Sequence, residues 1–491
     1  MATNSKKLQI EDCREYLSEN NFRIRPPSYK EKYPVWPGTI GIEVEMLPLT
    51  GPDFTEKVAL GPITGTKGLV SSLHKISQKN GWEPKHDVVK TSDGKDLEYT
   101  SMIKLEKGDN LTFEPGGQLE HSTIPYPCLS DAARRSRKIQ KTLDDSLLEM
   151  DSIKLKGIGI NPYHSVEELG LQMDKKRYLA MDEYFKSIGE WGQRMMRQTC
   201  TVQVCLDFGE TEEVMAKRFF VSKLLAPFAQ GIFAYSPFID GKLSEYDGVR
   251  AKTWRHIDPS RTGVNQLVLD ELSRNPDGFL FNKDKCVDSY LSFLINSNVV
   301  FVESAGYKVP SSKVTFGHWL NNDIFGTFPN TADLETQLSL LFPEVRPKGF
   351  LELRSPDAQD RAWQFVPAAF YTGLLYDDRS MNKVLSLLAK DADSISSFLD
   401  QAEMGLRGES LKKLSIEVMK IALDGFMNLP GCYSEAGTKE ALAKYADLFT
   451  FRGETPSSVL RKKMVDQGTD KLNEKLWSEL SEEWAKESSL C

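Results

Sequence analysis

The sequence predicts an α+β protein, in which a β-sheet with one apolar and one polar face is followed by a helical C-terminal portion. Four separate segments alternate apolar residues with acidic, amide or basic ones, as half-buried strands do. Segments between them have the spacing of amphipathic helices, and from about residue 380 the pattern is wholly helical. No repeat or low-complexity linker divides the chain. We therefore expect one main unit at residues 1–380 and a helical portion at 381–491 packed on it.

Composition limits the function. The 491 residues, of which 40% are hydrophobic and 27% charged, are typical of a globular protein with one large or two merged domains. A formal charge of −8 argues against a nucleic-acid-binding surface, and no run reaches the roughly 20 apolar residues that span a bilayer. The first residues hold no apolar signal core, and the seven cysteines form no CxxC pair. We therefore expect a cytoplasmic protein with free thiols that binds neither nucleic acid nor membrane.

The N-terminal third should begin with an amphipathic helix and the Pro-rich run Arg25-Pro26-Pro27, followed by a strand at residues 39–47. Glu43 and Glu45 share one face of that strand. The opposite face carries Ile40, Ile42, Val44 and Met46. The strand thus has one side suited to a core and one side that holds two carboxylates. A helix at residues 69–80 follows after a loop rich in glycine, proline and threonine.

Two further strands, near residues 96–103 and 109–114, lead to the turn Pro115-Gly116-Gly117. Glu114 stands directly before that turn. Ser130 is predicted to cap the next helix, because a serine hydroxyl accepts hydrogen bonds from the first helical N–H groups. The apolar line of this helix is Ile139, Leu143, Leu147 and Met150.

The middle of the chain predicts a short strand at 156–160, a helix at 175–195 and a strand at 199–208. Gln203 interrupts this apolar strand on the face opposite Val202 and Val204. Helices should fill residues 211–235. A loop is then expected to hold Arg250, Trp254, Arg255, Asp258 and Arg261.

The last polar-faced strand is predicted at 349–354. Its apolar face carries Leu351 and Leu353, and its polar face carries Glu352 and Arg354. Beyond it, one helix face should pack on the body of the protein, because its apolar residues recur at i+4 steps. These residues are Leu472, Leu476, Leu480 and Trp484.

The polar faces suggest a cation site. Hard oxygen donors are offered by Glu43, Glu45, Glu114, Glu352 and, through its amide, Gln203. Such donors suit Mg²⁺ or Mn²⁺ rather than zinc. Several carboxylates on one face would repel one another strongly unless cations stood between them. Because magnesium held in this way usually completes its shell with substrate phosphates, the pattern favours metal–nucleotide binding.

Nearby arginines suit phosphoryl transfer. Arg354 shares a face with Glu352, and Arg250 and Arg261 lie in a segment that could fold over the same cleft. Guanidinium groups match phosphate oxygens and stabilise the charge of a transferring phosphoryl group. The sequence contains no GxxxxGK[ST] motif and no GxGxxG after a strand, which excludes P-loop and Rossmann sites.

Each pattern alone has a simpler explanation. A strand with two glutamates is most often the solvated side of an antiparallel sheet, and a single arginine is most often a surface charge. Cys205, on the Gln203 face, has no base beside it in sequence, which disfavours a thiol nucleophile. The cation site therefore depends on the four segments lying together.

Taken together, the segments resemble the glutamate–cysteine ligases of the plant and proteobacterial type. The order and spacing of the motifs hold from about residue 35 to 380. The motifs are Ile40-Gly41-Ile42-Glu43-Val44-Glu45, Glu114-Pro115-Gly116-Gly117-Gln118-Leu119-Glu120, Gly157-Ile158-Gly159, Arg177-Tyr178, Thr199-Cys200-Thr201-Val202-Gln203-Val204, Arg261-Thr262-Gly263, Phe342-Pro343-Glu344-Val345-Arg346 and Leu351-Glu352-Leu353-Arg354.

The resemblance implies an ATP-dependent ligase that joins the γ-carboxylate of L-glutamate to the amine of L-cysteine through a γ-glutamyl phosphate. This is the first step of glutathione or related thiol biosynthesis. The implied fold of residues 1–380 is a curved antiparallel sheet flanked by helices, similar to the catalytic domain of glutamine synthetase. The partners would be ATP, L-glutamate and L-cysteine, the cofactor Mg²⁺ or Mn²⁺, and the assembly a monomer or homodimer.

The resemblance also implies residue roles. The metal ligands would be Glu43, Glu45, Glu114, Gln203 and Glu352. The phosphate-contacting residues would be Arg354 and Arg261, and Arg250 would hold a substrate carboxylate or phosphate. The substrate-binding residues would be Glu114, Gly116, Gly117, Gln118, Arg177 and Tyr178. Arg197-Gln198 stands where the family pattern has an aromatic residue and then an arginine, so Arg197 is left out of the predicted site.

Two alternatives stay open. A ligase of the same superfamily could use another amine, because it would share the carboxylates and arginines. A non-catalytic relative could sense glutamate or a nucleotide, although every matched acidic and basic position holds the expected residue type.

Overall fold

The computed structural model describes residues 7–24, 36–61, 68–90, 96–173, 175–435 and 437–488. The Pro-rich run at 25–27 and the C-terminal Cys491 lie outside these residues. The strands are β1 (Ile40–Thr50), β2 (Glu56–Lys57), β3 (Glu83–Lys90), β4 (Asp96–Lys104), β5 (Asn110–Phe113), β6 (Leu119–Ser122), β7 (Lys154–Lys156), β8 (Val202–Leu206), β9 (Phe238–Ile239), β10 (Lys242–Leu243), β11 (Val345–Pro347) and β12 (Leu351–Leu353).

The helices outnumber the strands. They are α1 (Ile10–Tyr16), α2 (Leu69–Asn80), α3 (Leu129–Asp151), α4 (Val166–Leu169), α5 (Lys176–Ile188), α6 (Trp191–Gln198), α7 (Glu212–Ile232), α8 (Val249–His256), α9 (Pro259–Thr262), α10 (Gln266–Arg274), α11 (Lys283–Asn296), α12 (Phe316–Asn321), α13 (Thr331–Ser339), α14 (Val366–Leu375), α15 (Asp378–Leu388), α16 (Ile395–Ala402), α17 (Glu409–Asn428), α18 (Gly431–Ser434), α19 (Thr438–Leu448), α20 (Pro456–Asp466) and α21 (Glu474–Glu487). A π-helical segment (Leu17–Asn21) extends α1, and short 3₁₀ segments cover Glu303–Ala305, Ala389–Ser394 and Thr450–Arg452.

One sheet of 10 strands organises the protein. Its order is β11-β12-β8-β1-β6-β5-β4-β3, and β2 and β7 pair with the C-terminal half of β1. Every pairing in this sheet is antiparallel. β9 and β10 form a separate hairpin. The predicted α+β class, an antiparallel sheet flanked by helices, is confirmed.

The sheet has the two faces that its sequence predicts. On β1, Ile42, Val44 and Met46 are buried in the main hydrophobic core. Helices α3 and α14 contribute to that core and contact β1 and β8. Burial of this apolar face leaves the carboxylate-bearing face of β1 directed to the other side of the sheet.

Three local predictions were wrong. The helix expected at 175–195 is two helices, because Gly189 adopts a φ of +147° and ends α5. The loop expected around Arg250 is helical and forms α8 and α9, the second of which begins at the cap Asp258. Ser130 does not cap α3, which begins one residue earlier, and its hydroxyl donates instead to the Glu435 carbonyl.

The short strand expected at 156–160 is also only partly present. β7 ends at Lys156, and Ile160 makes a single bridge to Thr199. The intervening glycine lets two backbones approach closely: a Cβ on Gly157 would stand 2.0 Å from the carbonyl oxygen of Gln359. The segment is therefore fixed by packing rather than by a strand ladder.

Every described element after β12 is helical, as predicted. The predicted apolar face near the C-terminus is buried, namely Leu472, Leu476, Leu480 and Trp484. These residues belong to one core that also contains Leu8. The division of the chain at residue 380 stays a prediction, and α15 crosses that position. Across the described ranges, no helix has the length and apolar character needed to cross a membrane.

Candidate active site

The central strands bring the predicted glutamates to one surface. Glu43 of β1 pairs with Gln203 of β8, and Glu45 of β1 pairs with Glu120 of β6. Directly opposite residues of an antiparallel pair point to the same face of a sheet. All four side chains therefore share the polar face.

The neighbouring strands extend this row toward the edge of the sheet. Glu352 of β12 lies opposite Cys205 of β8 on one side and opposite Arg346 of β11 on the other. Arg354 follows β12, and its side chain lies on the same face because it is two residues beyond Glu352.

A cleft of about 430 Å³ opens over the polar face. Its polar lining consists of Glu43, Glu45, Glu114, Glu120, Arg177, Tyr178, Thr199, Gln203, Ser339, Arg346, Lys348 and Arg354. Its apolar lining includes Met181, Met195, Met196, Trp254 and Phe342. These apolar residues belong to, or pack against, a second and smaller core. The cleft therefore lies between a charged sheet face and an apolar helical cluster.

Three carboxylates cluster in this cleft. One oxygen each of Glu45, Glu114 and Glu120 lies within 4.8 Å of the other two. Glu45 is held in place because it accepts hydrogen bonds from the Thr201 backbone N–H at 2.9 Å and from the Gln203 amide at 3.2 Å. The Gln203 oxygen in turn accepts a hydrogen bond from Arg354 at 2.7 Å.

These carboxyls are costly to ionise. Burial raises the pKa of Glu45 well above its usual range, and Glu114 and Glu120 raise it further. Burial likewise raises the pKa of both of those neighbours. Burial, together with Glu120 and Glu352, raises the pKa of Glu43 to about 8. Like charges brought this close out of water require a compensating cation to ionise together.

The donor set fits a divalent metal ion. Buried or half-buried carboxylate oxygens within 4.8 Å of one another are the hard ligands that Mg²⁺ and Mn²⁺ take. No histidine or cysteine belongs to this group of three, so zinc is the poorer match. Among the described residues, the cluster of Glu45, Glu114 and Glu120 is the group with this geometry.

Glu352 has the opposite charge environment. Its carboxylate is fully buried and accepts hydrogen bonds from Arg346 at 2.6 and 3.0 Å, from Lys348 at 2.9 Å and from Arg354 at 2.9 Å. Burial alone would raise the pKa of Glu352, but the three cations outweigh it and hold that pKa far below its usual range. Glu352 thus holds three cationic side chains together at the edge of the cleft.

The two glycines of the turn position Glu114 rather than lining the cleft. A Cβ on Gly116 would stand 2.2 Å from the carbonyl oxygen of Arg197, and Gly117 adopts a φ of +93°. The Gln118 amide donates to the Thr199 carbonyl at 2.9 Å. These contacts dock the turn on the end of α6, and Gly116, Gly117 and Gln118 are absent from the cleft lining.

Of the three predicted arginines, only Arg354 lines the cleft. Its Nη1 donates to the Gln203 oxygen at 2.7 Å as well as to Glu352. Arg250 is 1% exposed, and it donates to the carbonyl oxygen of Arg354 at 2.7 Å and to that of Ser355 at 3.1 Å. Arg250 therefore holds the backbone that carries Arg354.

Arg261 is fully buried away from the cleft lining. Its guanidinium donates to the Asp258 carboxylate at 3.0 Å and to the carbonyl oxygens of Leu340 and Asn298, each at 2.7 Å. The structure thus gives it partners within the protein, and these fix the segment that leads to Phe342 at the apolar side of the cleft.

Arg177 and Tyr178 both line the cleft, as the prediction of substrate-binding residues requires. Arg177 donates to the Ser339 hydroxyl at 2.8 Å. Burial and then the nearby Glu114 raise the pKa of the Tyr178 phenol, so it remains a neutral hydrogen-bond donor. Their substrate roles stay predictions.

The predicted site omits Glu120, Arg346 and Lys348. Glu120 accepts hydrogen bonds from the hydroxyls of Thr112 at 2.8 Å and Ser122 at 2.9 Å. Its alternation with the buried Leu119 was a usable signal in the sequence. The two basic residues lie in and directly after β11, and their contacts with Glu352 form across the pair of β11 and β12, which the sequence pattern does not show.

The sequence comparisons identify the family. The model of Glutamate-cysteine ligase family 2 matches residues 39–420, a range that contains the whole cleft lining. This chain belongs to that family. The prediction of a ligase of the glutamate–cysteine type is thereby confirmed.

Two similar proteins are named as glutamate–cysteine ligases. The chloroplastic glutamate–cysteine ligase of Arabidopsis thaliana is 30% identical over 400 residues, which cover 79% of this chain and 70% of that protein. The chloroplastic enzyme of Medicago truncatula is 30% identical over 441 residues, which cover 83% of this chain and 81% of that protein.

Two solved structures are similar at low sequence identity. A glutamate–cysteine ligase from Francisella tularensis in complex with AMP has 12% identity and a TM-score of 0.48, with 92% of each chain covered. A bifunctional glutathione synthetase from Pasteurella multocida has 13% identity and a TM-score of 0.43. The match covers 95% of this chain and 54% of that one, so this chain spans about half of the bifunctional protein.

The predicted cytoplasmic location is contradicted by these comparisons. The relatives from Arabidopsis thaliana, Medicago truncatula and Brassica juncea are chloroplastic enzymes. One basis of the prediction, the scattered free cysteines, indicates a reducing environment without distinguishing one reducing compartment from another.

Proposed function

We propose that this protein is an ATP-dependent ligase that joins the γ-carboxylate of L-glutamate to the amine of L-cysteine through a γ-glutamyl phosphate. The observation that carries the proposal is the charge pattern of one cleft. It contains a cluster of three carboxylates, and beside them three cations gathered around Glu352. Phosphoryl transfer from a metal-bound nucleotide needs both groups within reach of the same phosphates.

Glu45, Glu114 and Glu120 would hold the divalent cation, with Glu43 and Gln203 beside them. A bound Mg²⁺ or Mn²⁺ neutralises phosphate charge and polarises phosphoryl oxygens. Glu352 also remains a proposed metal ligand. That role requires phosphate oxygens to take over the guanidinium and ammonium groups that Glu352 now binds, because its two oxygens are already occupied.

Arg354, Arg346 and Lys348 are the proposed phosphate-binding cations, since all three line the cleft. In the first step a γ-carboxylate oxygen of glutamate attacks the γ-phosphorus of ATP, and ADP leaves. In the second step the cysteine amine attacks the carbonyl carbon of the acyl phosphate. The C–N bond forms, the C–O bond breaks, and inorganic phosphate and the amine proton leave. Fixed guanidinium and ammonium groups stabilise the charge that spreads over the phosphoryl oxygens.

The apolar side of the cleft would protect the intermediate. Met181, Met196 and Trp254 are nearly fully buried and belong to the second core, so this side presents a packed surface rather than water. An acyl phosphate is hydrolysed wherever water reaches it, and a water-poor cleft favours attack by the bound amine instead. Arg177 and Tyr178 are proposed to hold the amino-acid substrates at the same cleft.

Arg250 and Arg261 are proposed as positioning residues. Each is buried and donates to main-chain carbonyl oxygens, one set beside Arg354 and the other before Phe342. Their loss would move groups that line the cleft without removing any group that contacts substrate.

The test measures ADP release with ATP, Mg²⁺ and glutamate, with and without cysteine, and identifies the product by mass. We expect cysteine-dependent release and a γ-glutamylcysteine mass. Release that ignores cysteine but rises with another amine would assign the chain to a ligase with a different acceptor. No release with any amine would contradict the proposal and favour a sensor.

A matched pair of variants ties the activity to the cleft. Glu114→Gln removes one carboxylate of the cluster and should reduce ADP release by orders of magnitude. Glu149→Gln makes the same chemical change on the exposed surface of α3 and should leave it unchanged.

A further inference from the structure

A cavity of about 310 Å³ lies on the opposite side of the sheet from the cleft. Helix α3 forms one wall, and the segment between β12 and α14 forms another. Arg361 of that segment donates to the sulfur of Met46 at 3.3 Å, and Met46 belongs to the core-facing side of β1. The sheet therefore separates this cavity, here called the rear cavity, from the carboxylates and cations of the cleft. The proposed ligase chemistry uses none of its lining residues.

One buried polar group in the rear cavity has no partner. Gln364 is 1% exposed, and its amide nitrogen makes no hydrogen bond to any described residue. Buried donors in native proteins are almost always satisfied, so an exception at a cavity wall indicates an acceptor from outside the protein. Arg137 lines the same end, since its guanidinium lies 4.9 Å from the centre of the Phe365 ring. This end of the cavity therefore presents N–H donors.

The other end of the rear cavity carries carboxylates, because Asp144 and Asp145 follow Arg137 along α3 and line the same space. At a rise of about 1.5 Å per residue, roughly 10 Å of helix separates Arg137 from this pair. Asp144 accepts two hydrogen bonds from Arg361, each at 3.0 Å. Asp145 pairs with Lys141 at 3.1 Å. The cavity is thus dipolar, with donors at one end and acceptors at the other.

Each end of the rear cavity is incompletely neutralised. Burial lowers the pKa of Arg137, and the charge of Arg134 lowers it further. Burial raises the pKa of Asp144, although Arg361 acts against this. An anion beside Arg137 and a cation beside Asp144 would each offset the cost of burial, whereas a ligand with a single charge would leave one end as it is.

We propose that the rear cavity binds an extended zwitterion, a small molecule with a carboxylate at one end and an ammonium at the other. Gln364 and Arg137 bind the carboxylate, and Asp144 binds the ammonium. Neighbouring N–H donors suit the two oxygens of a carboxylate, and an ammonium donates to a carboxylate in turn. Short peptides and ω-amino acids belong to this class of ligand.

Small apolar side chains also line the rear cavity, namely Ala362 and Ala485. They leave room for the body of the ligand, and its methylene or peptide groups gain apolar contacts there. The volume lies at the lower end of the range for small-molecule sites, which favours a ligand no larger than a short peptide. The inference does not rest on the proposed function, because both the residues and the face of the sheet differ.

A simple anion site is the alternative. Arg137, Lys141 and Arg361 bring three cationic side chains to the rear cavity, and these also suit inorganic phosphate. Asp144 and Asp145 would repel such an anion, whereas they attract an ammonium group. The two carboxylates therefore favour a zwitterion over an anion.

Titration calorimetry on the full-length protein tests the charge requirement. The probes are 6-aminohexanoate and triglycine, which represent the two kinds of ligand. The controls are hexanoate and hexylamine, each of which lacks one charged end. We expect at least one zwitterion to bind about tenfold or more tighter than either control, because each control leaves one end of the cavity unpaired. Hexanoate or inorganic phosphate that binds as tightly would overturn the proposal, as would the absence of binding by both zwitterions.

Variants then locate the bound probe. Gln364→Leu removes the unpaired amide and Ala485→Leu fills the cavity, so each should weaken zwitterion binding by about tenfold. Gln78→Leu makes the first change on the exposed surface of α2 and should leave the Kd unchanged. Thermal unfolding of each variant checks the fold. Retained affinity in the folded cavity variants would overturn the proposal.

Binding at the rear cavity should not require the cleft. Glu114→Gln should still bind the zwitterion, and so should the wild type saturated with ATP, Mg²⁺ and glutamate, because the sheet lies between the two sites. Loss of binding in either case would place the probe in the cleft and overturn the proposal. A wild type that binds the zwitterion but shows no cysteine-dependent ADP release would contradict the proposed function alone.

Discussion

A cluster of three carboxylates and the single carboxylate of Glu352 lie on one face of one sheet, yet their environments are opposite. The cluster of Glu45, Glu114 and Glu120 faces like charges, so burial and mutual repulsion both raise the pKa of Glu45. Glu352 faces three cations, and its pKa is lowered although it is more deeply buried. Strand alternation decides which face a glutamate occupies, but its neighbours across the sheet decide whether it is ionised. The three-carboxylate cluster needs a cation in order to ionise, whereas Glu352 already holds three cationic side chains beside the cleft.

Among these variants, Glu352→Gln should have the largest effect on stability and on activity. This change leaves Arg346 buried without its charged partner, which should lower the free energy of unfolding by about 3–5 kcal/mol. ADP release should also fall by orders of magnitude, because the cations lose the group that orients them. Urea denaturation and the ligase assay measure the two effects. Near-normal turnover in a folded variant would remove Glu352 from the site.

Metal binding should stabilise the acidic group specifically. Mg²⁺ at about 100 times its Kd should raise the free energy of unfolding of the wild type by about 2.7 kcal/mol, and EDTA should reverse it. Glu45→Gln removes a carboxylate of the cluster and should abolish this shift. The measurement is thermal unfolding at several Mg²⁺ concentrations, and an equal shift in the variant would place the metal elsewhere.

A smaller effect of opposite sign is expected for Glu120→Gln without metal. Removing one of three converging carboxylates relieves repulsion and desolvation, so the free energy of unfolding should rise by about 1 kcal/mol while activity is lost. Both hydroxyl donors to this side chain can still bond to the amide oxygen. A decrease like that of Glu352→Gln would show that the two groups do not differ in the way proposed.

Asp357 provides a further test, as a carboxyl between the two extremes. Burial raises its pKa to about 6, although Arg250 and the Ser236 hydroxyl act against this. Because the pKa is higher in the folded protein, its contribution to stability is present at low pH and is lost as pH rises from 3.8 toward 6. The stability of the wild type relative to Asp357→Asn should fall across that window. A pH-independent difference in urea denaturation would contradict this.

The sequence predicted the parts of this protein that depend on periodicity. Alternation placed Glu43, Glu45, Gln203 and Glu352 on one face, and the structure brings them to one face. Helix α2 has the predicted bounds, because its apolar spacing and flanking glycines are local signals.

The sequence could not show how deeply each arginine side chain is buried or which groups it contacts. Arg250, Arg261 and Arg354 are chemically identical in the chain, but only the last reaches the cleft, since the other two find carbonyl oxygens inside the fold. Arg346 of β11 was recognised only as part of a motif and was given no role, because its ion pair with Glu352 forms across two strands. Such features depend on contacts between distant segments, which alternation along a single strand does not encode.

The contact between Gly116 and the Arg197 carbonyl has a mechanical consequence. It joins the turn below Glu114 to the end of α6, the helix that carries Met195 and Met196. A side chain at position 116 would push that helix end outward and carry the methionines with it. The acidic floor of the cleft and the part of its apolar side that these methionines form are therefore coupled through one close approach of two backbones. A redesign that enlarges the cleft would therefore have to consider Gly116 and the end of α6 before the residues that line the cleft.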